Sequence, residues 1–444
     1  MTLRLLLVRH GLSSFNLQNR IQGRNDLSTL TEEGTLQAKK ARLKLADLSI
    51  DSVYSSPLQR AADTTKELLK DRNSELKIIY DKNLLEVDLG QWSGLTSEEV
   101  QSNYPEQFGI WKKNPNALVL TKEDGSQYKP IKDLMDQAEE FIANLLNRHD
   151  PIKEENVLIV GHNAILRCII LQLIGKPENG FRRIRLDNAS ISVIKINSGL
   201  KKGSNNTQIE SLNITSHLGS PFPKQKSNAR IILVRHGETN WNKEGRFQGQ
   251  IDIPLNDNGK KQANAANKFL RNTEFSKVFS SSMSRPLETA KIILKNNSNI
   301  KIKCIEELIE IGHGQWEGKL ESEIKNSWGG LLKEWQVSPE KVQMPDGETI
   351  QDVWDRAVGC WMQICDSLSS TDTALVVAHD AVNKTIICNL LGLSPSDIWM
   401  IKQGNGGITV IDIPDDEEGL AIITSLNITS HLGGLIDCTA QGAL

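Results

Sequence analysis

The 444-residue sequence has few cysteines, few aromatic residues and no long apolar run. Its six cysteines are scattered and form no Cys-x-x-Cys pair, which excludes a disulfide framework and a zinc site and indicates reduced, buried thiols. No stretch approaches the roughly 18 apolar residues of a membrane span. The apolar run at the N-terminus is too short for a signal peptide. We therefore expect a cytoplasmic protein that does not associate with a membrane.

An excess of charge of one sign is also missing. Residues 1–220 carry 29 basic and 27 acidic side chains, and the remaining residues carry 23 and 28. Neither half is a polycation, so nucleic acid is not expected as a partner. The composition is otherwise that of an ordinary globular protein, and the length allows two domains that each bury a core.

The sequence contains one long internal repeat. The run LLLVRHG at residues 5–11 returns as IILVRHG at 231–237, and SLNITSHLG at 211–219 returns at 425–433. A period of roughly two hundred residues is far too long for a solenoid, so the repeating unit is a whole domain. The domains predicted from this repeat are 1–218 and 230–444, joined by a linker at 219–229.

Each half alternates short apolar strands with amphipathic helices. This pattern predicts an α/β fold, in which a mainly parallel sheet is flanked by helices in three layers and ends in an antiparallel hairpin. The predicted strands of the first half are 3–8, 51–54, 157–160, 191–196 and 209–214. Those of the second half are 230–234, 277–279, 374–378, 408–413 and 420–428.

Polar residues follow the predicted central strands at their carboxyl ends. They are Arg9-His10, Ser55-Ser56 and Gly161-His162 in the first half, and Arg235-His236, Ser280-Ser281 and Ala378-His379 in the second. Open α/β sheets bind their ligands at this edge. Because four of the eight histidines lie at matched strand ends, we interpret those four as functional.

An arginine near a helix start adds an anion site to each half. We expect the helix after the second strand to have Ser56 as its N-cap and Pro57 as its first residue, which places Arg60 in the first turn. Free backbone N–H groups and a guanidinium together attract an anion there. In the second half Pro286 follows Arg285 and is expected to delay the helix start.

A carboxylate precedes a glycine turn in each half, as Glu86 before Gly90 and as Glu310 before Gly314. With these residues the chain resembles a tandem member of the histidine phosphatase superfamily, the phosphoglycerate-mutase-like proteins. The motif RHGETNWN at 235–242, followed by RFQG and an aspartate, is highly specific. The first half has a looser but complete copy.

The resemblance implies a catalytic site in each half. In it His10 or His236 attacks phosphorus and becomes a phosphohistidine, and Glu86 or Glu310 protonates the leaving group and then activates water. The residues that would hold the phosphoryl oxygens are Arg9, Arg60 and His162 in the first half and Arg235, Arg285 and His379 in the second. The residues implied in substrate binding are Asn16, Gln22, Gly23, Asn242, Gln248 and Gly249. No metal or cofactor is implied, because the cationic side chains stabilise the transferring group.

The resemblance favours a phosphatase for a small phosphomonoester. Family mutases carry a longer insertion between the acid and the second histidine, whereas here these residues are 76 positions apart in the first half and 69 in the second. Phosphoglycerate mutase and α-ribazole phosphatase activities are the alternatives. The tandem arrangement is similar to that of the carboxyarabinitol-1-phosphate phosphatase-like proteins of plants and cyanobacteria, which favours a sugar or sugar-acid phosphate.

The two halves differ around the implied site. Ser93 replaces the glutamate of a Trp-Glu-Gly turn in the first half, and Asp380 follows His379 in the second, where the family commonly has glycine. We hypothesise two competent sites, and the alternative is that one domain is a non-catalytic module that binds a phosphate ligand.

The remaining histidines and two tryptophans are read individually. His217 and His431 are interpreted as structural, and His149 and His313 as surface or loop residues. Trp92 and Trp316 are expected either to pack in the core or to line the mouth of the pocket.

Overall fold

The computed structural model describes residues 2–72, 76–149, 153–175, 180–197, 207–225, 228–297, 299–414 and 420–439. It divides into two compact units, one of residues 1–200 with 212–220 and the other of residues 201–211 with 221–444. The division after residue 220 falls within the predicted linker, of which 226 and 227 lie outside the described residues. Residues 201–211 group with the second unit, so the predicted limit at 218 stays a prediction.

The first unit alternates strands and helices. Its strands are β1 (Thr2–Arg9), β2 (Ser52–Ser55), β3 (Ile78–Tyr80), β4 (Leu120–Thr121), β5 (Gln127–Tyr128), β6 (Glu155–Gly161), β7 (Ile191–Asn197) and β8 (Thr207–Ile214). Strand β8 is described with this unit because it belongs to the first repeat, although its residues 207–211 group with the second unit. Its helices are α1 (Ser14–Leu17), α2 (Glu32–Lys44), α3 (Gln59–Leu69), α4 (Ser97–Asn103), α5 (Pro105–Lys113), α6 (Pro130–Arg148) and α7 (Asn163–Leu173).

The second unit repeats this order. Its strands are β9 (Ala229–Arg235), β10 (Lys277–Ser281), β11 (Ile302–Ile305), β12 (Thr373–Ala378), β13 (Ile408–Ile413) and β14 (Ile422–Ile428). Its helices are α8 (Asn240–Glu244), α9 (Asp257–Phe269), α10 (Ser284–Ile293), α11 (Glu321–Val337), α12 (Ile350–Asp366) and α13 (Asp380–Leu391).

The main sheet of each unit is parallel at its centre. In the first unit the strands lie in the order β8-β7-β1-β6-β2-β3, with β1, β6, β2 and β3 parallel and β7 antiparallel to β1. In the second unit the order is β14-β13-β9-β12-β10-β11, with the same directions at the centre and an antiparallel β13–β14 pair at the edge. The predicted α/β fold is confirmed.

Apolar strands form the core because helices cover both faces of the sheet. Leu5 and Leu6 are neighbours in β1, so their side chains leave the sheet on opposite faces, and both are fully buried. The central strands β6 and β12 are equally buried along their length. A parallel sheet covered on both faces requires such continuous apolar runs instead of an alternating pattern.

The helix starts after the second strands were predicted wrongly. Helix α3 begins at Gln59 with Leu58 as its N-cap, so Ser56 is not the cap and Pro57 is not helical. In the second unit Arg285 and Pro286 both lie in the first turn of α10. The proline is tolerated there because first-turn N–H groups have no partner within the helix, and Arg60 and Arg285 consequently occupy matched positions.

Two other features differ from the expectations. Strands β3 and β11, and the small β4–β5 pair, were not predicted from the sequence. Cys304 and Cys438 are exposed, although the expectation was buried thiols. Within the described ranges, no helix is both long and apolar enough to cross a membrane.

Candidate active site

The parallel strands bring the predicted residues to one edge of each sheet. In the first unit Arg9 pairs in register with Gly161, and the His10 N–H donates to the Gly161 carbonyl at 3.0 Å. The Ser56 N–H donates to Val160 at 3.0 Å, so the second strand ends at the same level. His10, Ser56 and His162 therefore converge at the carboxyl edge.

The second unit has the same arrangement. The His236 N–H donates to the Ala378 carbonyl at 3.0 Å, and β12 pairs with both β9 and β10. The rings of His236 and His379 are 5.2 Å apart, and those of His10 and His162 are 5.1 Å apart. Each pair of imidazoles thus lines one small space.

The first histidine of each pair has a defined tautomer. His10 Nδ1 lies 2.7 Å from the Gly11 carbonyl, and His236 Nδ1 lies 2.7 Å from the Gly237 carbonyl. A carbonyl only accepts, so Nδ1 carries the proton in both rings and Nε2 keeps its lone pair. Arg285 Nε donates to His236 Nε2 at 3.3 Å, which agrees with this assignment. An Nε2 lone pair is the nucleophile that attack on phosphorus requires.

The glycine after each of these histidines is required by a close approach of two backbones. A Cβ on Gly11 would lie 2.4 Å from the Gly34 carbonyl oxygen, and a Cβ on Gly237 would lie 2.5 Å from that of Gly259. Gly34 and Gly259 lie in the first turns of α2 and α9. The histidine is held in place because only glycine fits between the strand end and the helix.

Two arginines of each unit direct N–H groups to backbone carbonyls at the site. Arg60 is fully buried and donates to the carbonyls of Gly23 and Asn25 at 2.9 Å each. Arg9 donates to Leu186 at 2.7 Å. In the part of the chain that the structure describes, the buried Nε atoms of Arg9 and Arg60 have no hydrogen-bond partner. These N–H groups are suited to bind an anion.

The arginines of the second unit follow the same pattern. Arg285 is fully buried and donates to Gly249 at 2.8 Å, and Arg235 donates to Gln403 at 2.6 Å. The buried Nε of Arg235 has no partner among the described residues.

The environment keeps the imidazoles neutral. Burial, followed by the charges of Arg9 and Arg60, lowers the pKa of His10 well below its usual value. Burial, followed by Arg285 and Arg235, does the same to the pKa of His236. A buried histidine beside two guanidinium groups loses its proton because the cation is doubly disfavoured. The nucleophile is therefore ready without a separate general base.

The second histidine of each pair is fixed by a serine. His162 Nε2 lies 2.8 Å from Ser56 Oγ, and His379 Nε2 lies 2.9 Å from Ser281 Oγ. The buried Nδ1 atoms of both rings have no partner among the residues described. The Nδ1 atom of each ring is thus available for a hydrogen bond to a bound substrate.

The glutamate of each unit lies at the start of the helix that follows the second histidine. Glu86 accepts hydrogen bonds from the N–H groups of Ala164 and Ile165 at 3.1 and 3.2 Å, at the start of α7. Glu310 accepts from Asp380 and Ala381 at 3.0 and 3.2 Å, at the start of α13. Burial and then the charge of Asp380 raise the pKa of Glu310. A carboxyl group with a raised pKa is suited to donate a proton.

Comparison with known proteins identifies the family. The histidine phosphatase superfamily (branch 1) matches the chain at residues 5–205 and again at 231–425. The chain belongs to the histidine phosphatase superfamily. The two matched regions cover both units, so the chain is a tandem histidine phosphatase.

The curated relatives include proteins with one and with two such regions. The 2-carboxy-D-arabinitol-1-phosphatase of Triticum aestivum is 28% identical over 97% of this chain and 86% of its own length. Phosphoserine phosphatase 1 of Hydrogenobacter thermophilus is 33% identical and covers 46% of this chain and 94% of its own length. A solved structure, Bacillus stearothermophilus YhfR, is 30% identical over 46% of this chain and 99% of its own, with a TM-score of 0.44.

The predicted substrate-binding residues of this histidine phosphatase lie beside the nucleophiles. Asn16 Oδ1 accepts from Ser13 Oγ at 2.9 Å and Gln22 Oε1 accepts from the same hydroxyl at 3.0 Å. Gln248 and Asn242 accept from Thr239 in the same way, and the buried Gln248 Nε2 has no partner among the described residues. The glycines at 23 and 249 contribute the carbonyls that hold the buried arginines.

Two residues of the site were missed in the sequence. Asn188 Nδ2 donates to the His10 carbonyl at 3.0 Å and to Asn16 Oδ1 at 3.1 Å, and Asn405 contacts His236 and Asn242 likewise. Both asparagines precede the strand that is antiparallel to the first one. Their matched positions in the two repeats were the signal that could have revealed them.

Two histidines that were expected as surface or loop residues lie in loops but are buried. His149 is buried and lies 2.9 Å from the Tyr54 hydroxyl and 2.7 Å from Glu155. His313 is fully buried, with its Nδ1 3.0 Å from the sulfur of Met344. Each fills a core position that has no counterpart in the other unit, so the repeat gave no information about them.

The other aromatic and histidine expectations are settled by burial. Trp92 and Trp316 are fully buried and pack in the core. His217 and His431 each bind a backbone carbonyl, that of Ala189 and of Gly406, which confirms a structural role.

Proposed function

We propose that this chain is a metal-independent phosphomonoesterase that hydrolyses a small phosphorylated metabolite through a phosphohistidine in each unit. The observation that carries the proposal is the pair of neutral imidazoles, each with its Nε2 lone pair beside two arginines and a second histidine. The arginines attract an anionic ester to the space that the nucleophilic nitrogen lines.

The reaction proceeds in two steps. His10 or His236 Nε2 attacks phosphorus while the leaving alkoxide takes a proton from Glu86 or Glu310. The arginines and the second histidine stabilise the charge on the three phosphoryl oxygens, which supplies most of the catalysis in a loose transition state. The same glutamate, now ionised, takes a proton from water, which attacks the phosphohistidine and releases phosphate with the imidazole restored.

Hydrolysis is favoured over mutase activity. The curated relatives that span nearly the whole chain are named as phosphatases, including the wheat protein. Its name suggests a phosphorylated sugar acid as the first class of substrate to test. A sugar phosphate without the acid group is the second class.

Single-turnover kinetics with alkaline-quench mass spectrometry test this function, because phosphohistidine is stable in alkali and hydrolyses in acid. The intact chain is expected to release phosphate from sugar and sugar-acid phosphates in the presence of EDTA and to carry phosphate on both His10 and His236. The variants H10A and H236A each lose one of these phosphohistidines, and the double variant loses all turnover. Transfer of phosphate between phosphoglycerates that outpaces its release would contradict hydrolysis, and a label on one histidine only would leave one unit as a binding module.

A further inference from the structure

The helix that follows the second histidine carries different charges in the two units. Helix α7 begins with Asn163 and has Arg167 one turn later, whereas α13 begins with Asp380 and has Lys384 one turn later. Residues four positions apart lie on the same face of a helix. The two units therefore carry different charged residues on the same face of this helix, although the rest of the two sites is matched.

In the second unit this face is neutralised internally. Lys384 Nζ lies 2.6 Å from Asp380 Oδ2, and Asp380 Oδ1 lies 3.2 Å from Arg235 Nη1. All three side chains are buried. Because an ion pair in a poorly solvated site is strong, Asp380 offsets positive charge that would otherwise attract an anion.

In the first unit no carboxylate stands at this position. Asn163 is neutral, and Arg167 lies over the ring of Phe181 at 5.4 Å with its Nη1 3.4 Å from the Phe181 carbonyl. Its buried Nε has no hydrogen-bond partner in the described part of the chain. Burial, followed by the positive charges of Arg182 and Arg9, lowers the pKa of Arg167 to about 10.

A second, half-buried arginine, Arg182, extends this cluster and donates from Nη2 to the Trp111 carbonyl. Arg182 lies over the ring of Trp111 at 5.0 Å, and Trp111 packs edge-on against Phe181 at 6.2 Å. Its buried Nε is also without a partner among the described residues. The matched position of the second unit, six residues before the asparagine that binds the nucleophile's backbone, is Trp399.

The charges that face this cluster are already engaged elsewhere. Glu86 is bound by two backbone N–H groups of α7, and Asp187 forms a two-pronged pair with Arg185 at 2.9 Å. Three matched positions therefore carry Asn, Arg and Arg in the first unit and Asp, Lys and Trp in the second. At these three positions the first unit has two formal positive charges more than the second.

We propose that the first unit takes phosphomonoesters whose leaving group bears a second anionic group, and that Arg167 and Arg182 bind that group. The second unit takes monoesters without it, because Asp380 balances the charge there. This assignment rests on the proposed phosphatase function. A guanidinium with unused N–H groups binds a carboxylate or phosphate through charge-assisted hydrogen bonds.

The test compares two esters that differ by one carboxylate, 3-phosphoglycerate and glycerol 3-phosphate. In the full-length H236A variant, where only the first unit has its nucleophile, kcat/KM for 3-phosphoglycerate is expected to exceed that for glycerol 3-phosphate at least tenfold. In H10A the ratio is expected to lie near one. A ratio near one in H236A would overturn the proposal.

Substitutions in the H236A background locate the recognition. R167M and R182M are each expected to lower the ratio at least fivefold, R167K is expected to restore part of it, and N163D is expected to lower it by creating the second unit's ion pair. R148M removes an exposed arginine at the far end of α6 and is the matched control. An equal ratio in R167M and R148M would refute the role of Arg167.

Binding separates this inference from the proposed function. Equilibrium dialysis of both compounds with the double variant H10A/H236A, which cannot turn over, is expected to show one site that prefers 3-phosphoglycerate and loses this preference in R167M. If no ester is hydrolysed by the intact chain but this preference is found, the phosphatase proposal fails while the anion site stands. Binding of the two compounds with equal affinity refutes the anion site.

Discussion

The two units share the groups that face phosphorus and differ in the groups around them. The distance between the paired histidine rings is 5.1 Å in one and 5.2 Å in the other, and each nucleophile makes the same 2.7 Å contact with the carbonyl that follows it. Beside this common core the first unit places Arg167 and Arg182, whose Nε atoms have no hydrogen-bond partner among the described residues, and the second places the ion pair of Asp380 and Lys384. The duplication kept one geometry and varied its electrostatic surroundings.

A second difference lies beside the glutamate. Arg24 Nε donates to the Glu86 carbonyl in the first unit, whereas Gln250 donates to the Glu310 carbonyl in the second. In the second unit Arg356 pairs with Glu348, which also accepts from the Gly312 N–H. The arginine beside the acid thus has a carboxylate partner in each unit, Asp88 at 4.0 Å from Arg24 in the first and Glu348 at 2.8 Å from Arg356 in the second, so different residues supply the pair.

The largest effect that would test the equivalence of the two units comes from their glutamates. E86Q in the H236A background and E310Q in the H10A background are each expected to lower kcat on an alkyl phosphate by roughly 10²–10⁴-fold, because a proton donor is lost. The loss in the rate of phosphohistidine formation from p-nitrophenyl phosphate is expected to be much smaller, since nitrophenolate leaves without a proton. If only one of the two substitutions has this effect, the units do not share a mechanism.

A smaller effect would sharpen the comparison through the pH dependence. The pKa of Glu310 is raised overall, because the effects of burial and of Asp380 outweigh the opposite effect of Arg285 and Arg235. A general acid must be protonated, so the rate of the second unit falls as pH rises through this pKa. D380N in the H10A background removes the negative charge, and the alkaline limb of kcat is expected to move to lower pH by about one unit.

The mirror substitution is the control for that shift. N163D in the H236A background adds a carboxylate at the matched position, so the alkaline limb of the first unit is expected to move to higher pH. An unchanged profile in both variants would show that this position does not act on the acid.

The smallest expected effect concerns stability in acid. Burial lowers the pKa of His313 to about 3, so the folded protein does not bind a proton there while the unfolded chain does so below about pH 6.5. Stability is therefore lost as pH falls below that value, by up to about 1.4 kcal/mol per pH unit for one histidine. H313L introduces the residue that the first unit has at the matched position, Leu89. The unfolding free energy of H313L minus that of the parent chain, measured by urea denaturation, is expected to be about 2 kcal/mol larger at pH 5 than at pH 7.5.

A second buried histidine, His10, sets the limit of this expectation. His10 also has a lowered pKa, but its imidazole has a defined hydrogen bond to Gly11, and H10L removes that contact. The increase in unfolding free energy that H10L gives in acid is consequently expected to be smaller than the increase that H313L gives. Equal slopes of stability against pH for H313L and the parent chain would show that His313 is protonated in the folded state.

The sequence predicted those features that repeat. Matched strand ends identified His10, His162, His236 and His379 correctly as neighbours, because parallel strands in one sheet end at one edge. It failed where local signals compete. Ser56 and Pro57 have good N-cap chemistry, but the Ser56 N–H continues the pairing of the strand with Val160 and its Oγ contacts His162 Nε2, so the helix begins later, at Gln59.

Residues without a repeat partner were predicted worst. His149 and His313 were expected as surface or loop residues; both lie in loops, yet both are buried, because tertiary contacts with Tyr54 and Met344 cover them. Burial depends on residues more than thirty positions away, and a single sequence carries no direct signal of such contacts.

The sequence by itself determined the duplication, the α/β fold and the identity of the paired histidines, arginines and glutamates, since these follow from repeated local patterns. Only the tertiary structure decided the electrostatic state of each site. Whether Asp380 neutralises Arg235, or the Nε of Arg167 has no hydrogen-bond partner among the described residues, depends on distances of a few ångströms between segments far apart in the chain. Coulomb energy in a buried site changes steeply over such distances, so spacing along the chain does not fix it.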